Sequence, residues 1–202
     1  MALADGAVRS WDAPPMMCFH AVQAWEDGKA LVAELATYDD ARVFDELRLA
    51  PLRQGQLLRA VPQLTRYRLE PGRSQALVEP FGHGFELPQA HPARWGHARV
   101  GIAWGAGLDA GSSPFFDRTL RLDMQTGETR CWQRERAIQL EPLFVPRPGA
   151  QAEDDGVLLV PTLADDDEGT RIGVVDAASM QCLALLHAPQ VIPFGFHAAW
   201  AP

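Results

Sequence analysis

Two histidines stand out for the company they keep. His20 lies in Cys18-Phe19-His20-Ala21-Val22-Gln23-Ala24-Trp25-Glu26-Asp27-Gly28, and His197 in Val191-Ile192-Pro193-Phe194-Gly195-Phe196-His197-Ala198-Ala199-Trp200. Each sits in an aromatic, apolar stretch expected beside a strand end, a setting that holds an imidazole fixed and partly dry. A metal ligand requires that, together with a partner on the other ring nitrogen to fix tautomer and orientation. The same residue type in the same setting also fits a packed core histidine bonded to a backbone carbonyl. Glu86 and Glu141, taken alone, read as ordinary loop carboxylates or caps. His83, His91, His97 and His187 read as surface or loop residues. The acidic run Asp165-Asp166-Asp167-Glu168-Gly169 reads as a solvated turn, with a weak calcium loop as the alternative.

The elements that must position these residues are short. Sixteen prolines and seventeen glycines cut the chain into runs that alternate apolar and polar residues over four to eight positions, the period of half-buried strands. Strands or hairpins are predicted over Gly28 to Tyr38, Leu64 to Val78, Thr119 to Trp132, Gly156 to Pro161 and Ile172 to Leu186. Helical periodicity is confined to Asp40 to Leu49. The class is all-β.

Three of these segments share an aliphatic-acidic pair before a turn: Leu69-Glu70, Leu122-Asp123 and Val175-Asp176, spaced by 53 residues each time. A repeat of that length with several strands per unit is the signature of propeller blades, which bury their faces by stacking on their neighbours. Closed propellers take about four to eight blades, so three or so imply a fragment or another β architecture. Val8 to Pro15 reads as the middle of a domain, in line with a fragment.

With 47% hydrophobic and 22% charged residues in 202, the chain has a globular composition. A net charge of −8 without clustered Lys and Arg excludes nucleic acid as the main partner. The odd, widely spaced Cys18, Cys131 and Cys182 signal neither a disulfide framework nor a zinc site and fit a reducing cytoplasm. The opening residues carry no secretory signal, and no segment approaches the roughly 20 apolar residues of a membrane-spanning helix.

The stretch from Phe19 to Lys29 resembles the histidine motif F-H-x-x-N-A-W/Y-E of the carotenoid cleavage oxygenase and lignostilbene dioxygenase family. Ile192 to Trp200 is similar to that family's closing VPFGFHG-x-W. Between them and in the same order, Phe85-Glu86-Leu87-Pro88-Gln89, Arg94-Trp95-Gly96, and Glu141-Pro142-Leu143-Phe144-Val145-Pro146-Arg147-Pro148 with Glu153-Asp154-Asp155-Gly156 resemble further family segments. Gln23 stands where the family commonly has Asn, and Ala198 where it often has Gly.

The resemblance implies a seven-bladed β-propeller around an iron(II) ion held by four histidines. His20 and His197 match two of them, and Glu86 and Glu141 match carboxylates that bond the ring nitrogens facing away from the metal. It implies a non-haem dioxygenase that cleaves a C=C double bond of a carotenoid, apocarotenoid or stilbene into two carbonyl products. Residues 1–202 would be the C-terminal portion of that domain, three to four blades, without the portion that carries the other two iron histidines. The alternative is an inactive truncated propeller serving as a binding or scaffold module. The partners implied are an apolar conjugated small molecule and dioxygen. Peripheral membrane contact is compatible with such substrates, though no basic amphipathic helix supports it; self-association is open through unpaired blade edges.

Overall fold

The computed structural model describes residues 6–164, 169–193, 195 and 197–200. Among the described residues, thirteen strands form three antiparallel sheets. The first runs in the order β1 (Met17–Asp27), β2 (Ala30–Tyr38), β3 (Gln63–Leu69) and β4 (Leu77–His83). The second comprises β5 (Phe85–Ala90), β6 (Ile102–Gly107), β7 (Arg118–Asp123) and β8 (Thr129–Gln133). The third comprises β10 (Leu143–Pro146), β11 (Gly156–Ala164), β12 (Thr170–Asp176) and β13 (Cys182–His187), with the short β9 (Ala137–Gln139) also paired to β11. Apart from β9, each sheet is a meander whose neighbours in sequence pair in space.

The aliphatic-acidic repeat ends the third strand of every sheet: Leu69 closes β3, Asp123 closes β7 and Asp176 closes β12. Asp123 Oδ1 accepts the backbone N–H groups of Gln125 and Thr126, and Asp176 Oδ1 accepts Ser179 N–H and Oγ–H. These Asx turns account for the acid in the second and third sheets; in the first, Glu70 accepts from Arg68 and Arg73 instead.

The sheets stack face to face. Leu64 and Val22 of the first meet Phe85, Ala103, Leu120 and Leu122 of the second in one buried cluster. The second meets the third through Trp104, Phe144, Leu158, Val160 and Val175. Trp104 lies flat on Phe144 with ring centroids 4.3 Å apart and donates its indole N–H to the Ala177 carbonyl at 2.9 Å. A Cβ at Gly173 would collide with the Trp132 ring, so that close approach needs glycine. β1 packs on β5 and β5 on β10, the first strands of each sheet, while β13 at the opposite side is exposed along its length.

Strand placement departs from the sequence reading in several places. β1, β5, β6, β9 and β10 lie outside the segments expected as strands, and β4 extends five residues past Val78. The helical segment is two short helices, α1 (Arg42–Glu46) and α2 (Leu49–Arg53), separated at Arg48, whose backbone is extended. No helix among the described residues is long and apolar enough to cross a membrane.

Candidate metal centre

His20 lies inside β1, not beside a strand end. Its position is set by two register slips against β2: Cys18 faces Thr37 and His20 faces Ala36, then Ala21 faces Leu35 and Gln23 faces Glu34. Each slip inserts one residue, Phe19 and Val22, and such bulges re-aim side chains. Phe19 turns outward, 38% exposed, edge-on to Tyr38 and Phe44.

A third bulge shapes β5. Glu86 faces Ala106 but Gln89 faces Trp104, so three steps on β5 match two on β6. Residues three apart on a regular strand point to opposite sides; the extra residue puts Glu86 and Gln89 on one side. Leu87 takes up the distortion with φ 50°, a region that costs a branched residue strain, and its N–H donates to Glu86 Oε2 at 2.6 Å. β6 comes close here: a Cβ at Gly105 would lie 2.5 Å from the Glu86 carbonyl oxygen.

The carboxylates reach both histidines. His20 Nδ1–H donates to Glu86 Oε2 at 2.6 Å, and His197 Nδ1–H donates to Glu141 Oε1 at 3.2 Å. Both glutamates are buried, at 1% and 5% exposure. Glu141 is itself held by Gln89 Nε2–H at 3.0 Å and by the Ala198 N–H at 2.7 Å. The hydrogen bond to Glu86 raises the His20 pKa above its usual 6.5, against burial, which lowers it; the charges of Glu86 and Glu141 add to the rise.

Ionised carboxylates only accept, so each neutral ring carries its proton on Nδ1 and leaves a lone pair on Nε2. Those two Nε2 atoms stand 3.5 Å apart. Two lone pairs at that distance are unfavourable together unless a proton or a cation lies between them. Two metal–nitrogen bonds of about 2.0–2.1 Å span that gap, so the pair fits a metal ion. Among the described residues no group of three or more His, Cys, Asp or Glu could hold one.

The structure thus brings together His20, His197, Glu86 and Glu141. The sequence reading assigned no role to Gln89 or to the Leu87 and Ala198 amides. Odd spacing from Glu86 argued against Gln89 sharing its side, and only the bulge overrides that. Gln23 bonds Glu34 at 2.6 Å and exchanges hydrogen bonds with the Val100 backbone, tying the first sheet to the second. Trp25 lies under the Arg99 guanidinium. His83, His97 and His187 are exposed and His91 is half-buried in a loop against Phe144. Phe194, Phe196 and the acidic residues 165–168 lie outside the described residues.

A stack of four- and five-stranded antiparallel sheets, with two imidazoles brought together beside it, is part of a β-propeller. The family described as retinal pigment epithelial membrane protein (RPE65) matches residues 3–202. The chain belongs to that family, which takes in the carotenoid cleavage oxygenases. Among its relatives is rice (Oryza sativa subsp. japonica) carotenoid cleavage dioxygenase 8 homolog A, chloroplastic, 31% identical over 96% of this chain and 37% of that protein. Torulene dioxygenase of Fusarium fujikuroi is 28% identical over 98% of this chain and 40% of its own length. The crystal structure of cobalt-substituted Synechocystis apocarotenoid oxygenase superposes with a TM-score of 0.83 at 22% identity, over 98% of this chain and 42% of that one. The chain spans about two fifths of the length of the relatives it matches.

Proposed function

We propose that this chain supplies two of the histidine ligands and two of the supporting carboxylates of a non-haem iron(II) dioxygenase that cleaves a C=C bond of a conjugated apolar substrate. The observation that carries it is the pair of Nε2 atoms 3.5 Å apart with both Nδ1 atoms held by buried glutamates. The names of the relatives, which act on carotenoids and torulene, support the substrate class. His20 and His197 would hold the metal through Nε2, and bound iron(II) would supply the activation of dioxygen.

The protein's own groups prepare that place. Glu86 and Glu141, themselves buried, fix the tautomer of each ring and would offset a metal's positive charge. The Leu87 amide donates to Glu86, and Gln89 and the Ala198 amide donate to Glu141, which holds each carboxylate toward its ring. Phe19 and Phe44, edge-on at 5.4 Å and partly exposed beside His20, offer an apolar wall to a polyene. Two imidazoles are fewer than the ligands such an ion takes, and we infer that the remainder come from residues beyond this chain. That count also favours a second reading, a propeller portion that binds an apolar ligand without catalysis.

The test is metal content. Protein loaded anaerobically with iron(II) is compared with His20→Ala and His197→Ala. Retained iron lost in both variants supports a working centre; a well-folded protein that retains none, alone or with the complementary portion of a relative added, sinks the dioxygenase reading and leaves the binding module.

A further inference from the structure

A strained residue follows Glu86. Leu87 has φ 50°, a conformation that side chains other than glycine rarely adopt. Strain of this kind persists only where the surroundings over-determine it, and it gathers at functional sites. Two features hold it here. Pro88, next in the chain, has no N–H to give to β6, which suits a bulge and not a regular ladder. The Leu87 side chain is 3% exposed and packs in one cluster with Leu58, Ala106, Phe115, Phe116 and Leu140.

That cluster is tied to both carboxylates, since Leu87 follows Glu86 and Leu140 precedes Glu141. On a regular strand the N–H groups lie in the plane of the sheet and the side chains stand across it, so the Leu87 amide would point past the Glu86 carboxylate. It donates instead to Glu86 Oε2 at 2.6 Å. The same bulge brings Gln89 round to donate to Glu141 Oε1 at 3.0 Å.

We propose that the buried Leu87 side chain anchors the bulge of β5 and is thereby a positioning residue for Glu86 and Glu141, and through them for His20 and His197. This rests on the two histidines being metal ligands, the reading given above. In Leu87→Ala the strained backbone loses the burial that offsets its cost. The bulge then relaxes toward a regular ladder, Glu86 loses its amide donor, and Gln89 turns away from Glu141.

Leu87→Ala is compared with Leu87→Met, which keeps apolar volume, and with Leu58→Ala, which truncates the same cluster at a residue next to neither carboxylate in the chain. In metal-free, 15N-labelled protein the downfield His20 Nδ1–H resonance is expected to move or broaden in Leu87→Ala and to stay in place in the other two. Co2+ affinity, followed by visible ligand-field bands, is expected to fall about tenfold in Leu87→Ala alone, even where Leu58→Ala lowers the thermal midpoint as far. An unchanged resonance in Leu87→Ala, or a shift of equal size in Leu58→Ala or Leu87→Met, overturns the proposal and leaves Leu87 an ordinary core residue. A resonance that moves in Leu87→Ala alone, while even the unaltered protein takes up no Co2+, upholds the anchor and defeats the metal reading instead. Should Leu87→Ala not fold, Leu87→Gly takes its place in the comparison, since glycine adopts φ 50° freely and lacks the anchor.

Discussion

At His20 a proton and a metal compete for one lone pair. The ring's pKa is raised in the folded chain chiefly by its bond to Glu86, so the proton holds on to a higher pH than at a free imidazole. For the metal-free fold, this contribution to stability is fully present below the unfolded pKa and is lost as pH rises through the folded one. Metal binding runs the other way, since it needs the neutral ring. Metal affinity should therefore climb with pH through a midpoint above 6.5, measured by Co2+ titration at stepped pH, and a midpoint at or below that value would contradict the geometry. Glu141 depends in turn on Gln89. Gln89→Leu removes a donor while keeping bulk, and a loss of about 10- to 100-fold in metal affinity is expected, the range typical of groups that orient a ligand.

The elements matter here through their irregularities. Alternation in the sequence reveals β2, β11 and β12, along which more and less buried positions alternate, and the recurrent acid reveals the turns. It does not reveal β1 or β5, because bulges break the period of two in the strands that carry His20 and Glu86. The candidate site was legible only through resemblance of motifs; Gln89 carries no local signal, since its partner lies 52 residues away. Contact between sheets also turns on a buried charge. Glu34 is 0% exposed and accepts Arg66 at 2.6 Å and Gln23, while Arg66 also reaches the Met124 carbonyl and lies over Phe81. Arg66→Met would leave the carboxylate without its cation, and breaking a buried pair costs about 3–5 kcal/mol. Urea unfolding should show a loss of that size; a change under about 1 kcal/mol would mean that Gln23 and solvent suffice for Glu34.

On the scale of the molecule, each blade has two faces and the chain covers only some of them. The third sheet turns one face to the second through Leu158, Val160 and Val175. Its other face carries Val145 and Val157, then Leu159 and Val174, then Ile172 and Leu186, paired in register across β10 to β13. These side chains are half-buried, and Leu186 is 50% exposed. A continuous aliphatic sheet face of this kind is what the first and second sheets bury between them, and left open it favours association. The net charge of −8 opposes contact between copies through repulsion that salt screens within about 10 Å at 0.1 M. The 202-residue polypeptide made alone should thus associate in sedimentation velocity, more strongly at 0.5 M than at 0.05 M NaCl on the order of those concentrations. Val174→Lys with Leu186→Lys places two like charges in the middle of the face and should return it to monomer without moving the thermal midpoint by more than a few degrees. Association that survives both lysines would locate the contact elsewhere, and the first sheet, with Leu31 at 42% and Leu77 at 43% exposure, is where the same substitution should next be made.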